Sequence, residues 1–280
     1  MEHAQSPAQT SSHSEEPLQL ESDFVCTNTP ERKSVRLSSA LLNYTRPTAI
    51  NPLPLGSTWA LDLPARLHNA IRRELIDLYN MVDSMKRRVH QLGTADMRTF
   101  FSWWRLFSSF LKTVFLTHTQ VIFPWLSAKT TLPDAVNDAH IQEVQDKLQA
   151  LLKEFRIANE QLSRRAPDET LARIIKGLIH MHIIVQHLES VESALPDVIE
   201  QHFQPTDQKK IEKKVASFLH SHGRVDEKKM HLLLVANAMN PEALAAWNKM
   251  LPRLIRISYR TANKRFHTTH LSAVRRLAPE

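Results

Sequence analysis

Three histidines fall on the apolar faces of three predicted helices: His68, His118 and His140. Each belongs to a stripe of apolar residues that recur every three or four positions, which is typical of an amphipathic helix. Neutral imidazole is a common metal ligand, and facing helices of a bundle build metal sites from inward side chains. Because the chain holds 15 histidines, the alternative for each of the three is an ordinary core residue.

Four long helices are predicted to position these side chains. The first spans about residues 64–91 and ends at Gly93 as a C-cap, and the second spans about 95–124. The third follows Pro133 and the fourth follows Pro167, each with a continuous apolar stripe. Since hairpin turns and alternating strand patterns are nearly absent, we expect an all-α fold built on an up-down-up-down four-helix bundle.

The predicted bundle occupies only the middle of the chain. Residues 1–56 are rich in Ser, Thr, Pro, Gln and Glu and are predicted to be a disordered tail. Residues 57–203 form the bundle, and residues 204–280 form a helical extension that packs on it. Within that extension Asn240, Pro241 and Glu242 predict a helix start, and Pro252 should interrupt the helix that follows.

Composition excludes several classes of protein. Four scattered glycines cannot build a phosphate-binding loop or a dinucleotide fingerprint, and the single cysteine, Cys26, excludes an internal disulfide and a cysteine-based zinc site. No motif predicts an enzyme. The charged side chains within 100–126 argue against a membrane span, and the acidic N-terminal residues argue against a targeting peptide, so we expect a cytoplasmic protein.

The basic C-terminus contributes much of the net charge of +7. Arginines and lysines there could attract phosphate, but no base-reading motif accompanies them, and a solvated final helix and tail is the favoured explanation of the charge. We therefore expect neither nucleic acid nor a membrane as partner, and leave an unidentified protein partner open.

A di-iron site requires bridging carboxylates, and the predicted core does not supply them. Val114, one turn before His118, cannot bind a metal. In the fourth helix the inward candidates are His182, Gln186 and Glu189, and both Glu189 and Glu192 are as consistent with solvent exposure as with a site.

Short motifs in all four helices resemble the hemerythrin HHE cation-binding domain over about residues 63–203. The motifs are LHNAIRREL at 67–75, VIFPWL at 121–126, His140 followed by Leu148 and Leu151, and LPDVIEQHF at 195–203. The resemblance implies a four-helix bundle around a non-haem di-iron centre that serves oxygen binding, sensing or metal storage.

The ligand positions carried over from that family are only partly kept. His68 and His140 match the histidines of the first and third helices. The paired positions of the second helix hold Val114 and His118, and those of the fourth hold Gln186 and Ser190. We therefore expect no di-iron centre. The prediction is one zinc or iron ion held by His68, His118 and His140, with Gln186 or an acid from the fourth helix as a further ligand. The alternative is a metal-free helical interaction protein.

Overall fold

The chain is helical along almost all of the part that can be described. The computed structural model describes residues 46–47, 50–251 and 253–279, and no strand occurs within these ranges. The predicted all-α class is confirmed. Most of the predicted disordered tail, and Pro252 in the C-terminal extension, lie outside the described residues.

The helices follow one another with short connections. In chain order they are α1 Trp59–Arg87, α2 Thr94–Thr117, α3 Phe123–Ser127, α4 Asp138–Glu160, α5 Pro167–Gly177, α6 Met181–His202, α7 Pro205–Ser221, α8 Lys228–Asn237, α9 Pro241–Met250, α10 Arg253–Phe266 and α11 Ser272–Leu277. Single turns of 3-10 helix lie at Val89–Gln91, Asp134–Val136 and Leu178–His180, and π turns lie at His118–Ile122 and His267–Leu271.

The turn between the first two helices differs from the prediction at Gly93. This residue has φ −104° and ψ 162°, and it is the N-cap of α2 rather than a left-handed C-cap of α1. Its backbone N–H donates to the Asp96 carboxylate at 3.0 Å. The chain leaves α1 through the 3-10 turn at Val89–Gln91, so glycine is not needed to end that helix.

A π turn interrupts the second predicted helix at the candidate ligand His118. The turn covers His118–Ile122, and the helix then resumes as α3. Pro124, the second residue of α3, has no N–H and crowds the carbonyl one turn before it. A widened turn accommodates such a residue, and π turns occur often at functional sites.

The fourth predicted helix is divided into α5 and α6 by the 3-10 turn at Leu178–His180. At the end of α5, Gly177 packs against α4 so closely that a Cβ atom would lie 2.8 Å from the Phe155 ring. Absence of a side chain therefore allows α4 and α5 to approach.

The predicted apolar stripes are confirmed as the core. Buried stripe residues include Leu75, Leu78, Val82 and Met85 of α1, Phe107, Phe110, Leu111 and Val114 of α2, Val144, Leu148, Leu151 and Phe155 of α4, and Ile174, Met181, Val185, Leu188 and Leu195 of α5 and α6. The extension contacts this core, because α7, α8 and α11 all pack on α1 or α2. Among the described helices, none is long and apolar enough to cross a membrane.

Candidate functional site

Four buried or half-buried histidines from four helical segments form a continuous row, which we call the imidazole chain: His68 of α1, His118 of the π turn, His187 of α6 and His140 of α4. The Nε2 atoms of His68 and His118 lie 3.2 Å apart. Nδ1 of His118 lies 3.3 Å from Nε2 of His187, and Nδ1 of His187 lies 3.2 Å from Nε2 of His140. Three of the four rings are at most 1 % exposed, and His140 is half-buried at the open end.

A carboxylate and a guanidinium close the inner end of the imidazole chain. Oε1 of Glu192 in α6 lies 2.8 Å from Nδ1 of His68. Arg72, one turn after His68 on α1, donates hydrogen bonds to both oxygens of Glu192, and its Nη2 atom lies 2.6 Å from Oε2. The guanidinium is 2 % exposed and the carboxylate 8 %. The buried negative charge is therefore compensated in a two-point ion pair.

Burial and neighbouring groups shift the pKa values of three of these imidazoles and of Glu192. Burial lowers the pKa of His68, and outweighs the hydrogen bond to Glu192 that raises it. Burial, with His68 and His187 nearby, lowers the pKa of His118 well below its ordinary value. Burial, with His68 and His140 nearby, lowers the pKa of His187 to about 3. Burial raises the pKa of Glu192, but hydrogen bonds from Arg72 and His68 outweigh it and bring it to about 2.

These protonation states determine where each proton lies along the imidazole chain. A carboxylate only accepts, so His68 must donate from Nδ1 to Glu192 and accept at Nε2. Nε2–H of His118 then donates to His68, Nε2–H of His187 to His118, and Nε2–H of His140 to His187. For a row of four neutral rings, this is the one assignment that satisfies every contact.

The pair formed by His68 and His118 has dimensions suited to a metal ion. Two nitrogens that share one ion at ~2.0–2.1 Å in near-tetrahedral geometry lie roughly 3.3 Å apart, and the two Nε2 atoms are separated by 3.2 Å. The outer nitrogens contact Glu192 and His187, as metal-bound histidines commonly contact outer partners. In the described part of the chain, however, no group of three or more His, Cys, Asp or Glu surrounds a common point.

A di-iron centre does not fit these side chains. Glu192 is the carboxylate that reaches the imidazole chain, and both of its oxygens already bind Arg72. A carboxylate bridge between two irons would have to displace the Arg72 guanidinium. The buried guanidinium would then lie beside two iron cations without its own counter-ion. Of the two alternatives that the sequence left open for Glu192, a side chain in the site and a solvated one, the structure has the first.

The predicted ligands meet only in part. His68 and His118 face each other directly, whereas His140 reaches them through His187. Gln186 is exposed, and so are the other members of the predicted ladder, His182 and Glu189. At about 100° per residue, Gln186 lies roughly 160° around α6 from the buried Leu188. Its side chain is therefore on the opposite side of α6 from the core and cannot be a ligand.

Sequence reasoning missed His187 and Arg72, and it left open whether Glu192 lies in the site or in solvent. Periodicity could have found Glu192, because it lies one turn after Leu188 and about 40° from it around the helix axis. His187 lies about 100° from Leu188, at the edge of the apolar face, where the pattern does not separate buried from exposed residues. Arginine one turn after a core histidine gives no signal until its carboxylate partner is known.

A second buried polar group joins α2 to α8. Ser109 Oγ donates to Glu227 Oε2 at 2.8 Å and lies 3.2 Å from Nε2 of His231. Serine is central in this group, whereas in a nucleophilic triad the histidine lies between the serine and the acid. The arrangement therefore links two helices and does not place a base against an activated hydroxyl.

Comparison with known proteins adds no family: no family model, no curated protein and no solved structure matches the chain. The function of the imidazole chain is therefore argued from its own side chains.

Proposed function

We propose that this chain is a metal-binding helical module with a hemerythrin-like arrangement of its helices, and that it holds one first-row transition metal ion between His68 and His118. The observation that carries the proposal is the pair of Nε2 atoms facing each other at 3.2 Å inside the core. Imidazole ligation suits zinc and iron among other metals, and water would complete the coordination.

The surrounding side chains favour binding at this pair because they keep the ligands neutral. Metal binding requires an unprotonated nitrogen, and burial lowers the pKa of both His68 and His118. Glu192 fixes the orientation of the His68 ring by accepting from Nδ1, and Arg72 holds Glu192 in turn. The Arg72–Glu192 ion pair therefore affects the metal site by fixing the orientation of the His68 ring.

A shift of protons along the rest of the imidazole chain frees the second lone pair that the metal needs, the one on Nε2 of His118. In the metal-free assignment, Nε2 of His118 carries a proton that faces His68. If each ring from His118 to His140 moves its proton to the other nitrogen, His118 donates from Nδ1 to His187 and its Nε2 becomes free. His140 is half-buried, so its proton can exchange with water. No ring gains or loses charge, which suits a buried site.

The test is cobalt and zinc titration of the full chain purified without an affinity tag. We expect one equivalent of Co²⁺ to give the visible absorption bands of a four-coordinate site, and Zn²⁺ to displace the Co²⁺. His118→Leu should weaken binding at least tenfold. His90→Leu is the matched control, because His90 is exposed outside the imidazole chain.

Metal analysis of the purified protein gives the contrary outcomes. Two irons per chain would contradict the single-ion site, and equal affinity in wild type and His118→Leu would place the metal elsewhere. Thermal unfolding of both variants without metal checks that each is folded.

A second candidate function is a metal-free helical interaction protein. The observation in its favour is that the imidazole chain satisfies its own hydrogen bonds without an ion. Absence of any Co²⁺ or Zn²⁺ binding by the folded chain would favour this candidate over the first.

A further inference from the structure

A groove on the surface between α2 and α4 carries a concentration of positive charge. Its cavity volume is about 490 Å³, which lies within the ~300–1,000 Å³ range of small-molecule sites. Four cationic side chains line it: Arg105 and Lys112 from α2, and Lys153 and Arg156 from α4. We call this feature the basic groove. Among the described residues that line it, none is acidic.

Helix geometry distributes the four cations along the length of the basic groove. Trp104 of α2 and Phe155 of α4 pack with ring centroids 4.1 Å apart, so the residues that follow them, Arg105 and Arg156, are at the same level. Lys112 lies about two turns further along α2, and Lys153 lies one turn back along α4. The lining of α2 from Phe101 to Lys112 is roughly 16 Å long.

The charges of the basic groove are unequally compensated. Arg105 lies 3.7 Å from Asp226 and 3.8 Å from Glu227, and Arg156 lies 4.0 Å from Glu160. For Lys112 and Lys153, no carboxylate of the described chain lies within ion-pair distance, and both side chains are exposed. Two cations on facing helices are thus available to an anion that enters between them.

Below the cations lies an aromatic floor. Phe101 and Trp104 are each 6 % exposed and Phe155 is fully buried. So little ring surface is exposed that a docked peptide would bury almost no new apolar area, and a protein partner typically needs more than ~1,000 Å² of interface. Charge is therefore the main attraction, and a small ligand suits the groove better than a peptide.

We propose that the basic groove binds a small phosphorylated anion, with its phosphates between Lys112 and Lys153. This site is separate from the imidazole chain, so the proposal stands whether or not a metal binds there.

The experiment is isothermal titration of the full chain with ATP, pyrophosphate and adenosine at low salt. We expect ATP to bind more tightly than pyrophosphate, adenosine not to bind, and affinity for ATP to fall steeply with added salt. The double variant Lys112→Glu/Lys153→Glu should weaken ATP binding at least tenfold. Lys209→Glu/Lys213→Glu makes the same charge change at two exposed lysines of α7 and should leave affinity within twofold.

Three results would overturn the proposal. They are no heat with ATP or pyrophosphate, equal loss of affinity in both double variants, and binding of an acidic peptide such as a glutamate 20-mer without binding of ATP. Circular dichroism of both double variants verifies that the fold is retained.

Discussion

Two buried carboxylate–histidine pairs lie on different faces of α1, and they differ in what compensates the carboxylate. At the first, Glu192 binds His68 at 2.8 Å and Arg72 neutralises it. At the second, Glu74 binds Nε2 of His270 at 2.7 Å, and no arginine is hydrogen-bonded to this pair in the described structure. His68 and Glu74 are six residues apart, or about 120° around the helix axis.

The surroundings of the second pair are aromatic and acidic. The His270 ring stacks on Trp103 at 5.7 Å and on Phe266 at 5.1 Å. Asp77 lies one turn after Glu74, and its Oδ2 atom has no hydrogen-bond partner among the described residues. The Glu74–His270 pair joins the C-terminal helices to α1. The Glu192–His68 pair is in addition linked to the three other imidazoles of the imidazole chain. The same two residue types therefore hold helices together at one position and anchor a candidate binding site at the other.

The largest expected effect comes from removing the arginine that distinguishes the first pair. Arg72→Met should leave Glu192 buried without its cation and lower the free energy of unfolding by about 3–5 kcal/mol. Arg98→Met is the matched control, because Arg98 is exposed on α2 and its removal should change stability by less than ~0.5 kcal/mol. Urea unfolding at pH 7 measures both. Equal small losses would mean that Glu192 does not depend on Arg72.

Lowering the pH should decrease the free energy of unfolding through His187 of the imidazole chain. The folded pKa of His187 is about 3, below an unfolded value near ~6.5, so its contribution is complete above pH 6.5 and is lost as the pH falls toward 3. Between pH 6.5 and 4 this amounts to about 3 kcal/mol for His187 alone. His187→Leu should flatten the plot of unfolding free energy against pH by about 1.4 kcal/mol per pH unit. An unchanged slope would contradict the assignment of a neutral ring.

The second pair should respond to pH in the opposite direction through Asp77. Burial and Glu74 raise the pKa of Asp77 to about 6, above an unfolded value near ~3.9. The cost of burying Asp77 is therefore absent below about pH 4 and grows as the pH rises to 6. Asp77→Asn should raise the free energy of unfolding at pH 7 by about 2–3 kcal/mol. The same variant at pH 4 should match wild type, and a gain at both pH values would point to a different cause.

The smallest and most local effect is expected at His270. His270→Leu should leave Glu74 buried without its partner and cost about 1–3 kcal/mol. Hydrogen exchange should accelerate in residues 267–277 before it does in α1. His267→Leu is the control, because His267 is exposed on the same turn. Equal exchange in both variants would show that the Glu74–His270 bond does not hold this segment.

Helix type and core faces were predictable from the sequence. Period-3.6 stripes placed Leu75, Phe110 and Leu188 in the core, because a buried face must recur with the helical turn whatever the neighbouring helices are. His68 and His118 were predicted inward for the same reason. The start of α9 also followed from local chemistry, since Asn240 caps it by accepting from Ala243 N–H at 2.8 Å.

Local departures from helix geometry were less predictable. Gly93 and the turns at His118–Ile122 and Leu178–His180 depend on how neighbouring helices pack, which a single stripe does not encode.

Tertiary structure alone decided which polar groups meet. Glu192 lies 124 residues from His68 along the chain, and His270 lies 196 from Glu74. Periodicity gives the face of a helix on which a residue lies, but not the partner across the core or its distance. His187, and not Gln186, belongs to the imidazole chain because the rotation of α6 about its own axis places His187 toward α1 and α4. That rotation is a property of packed helices, and no single helix carries it.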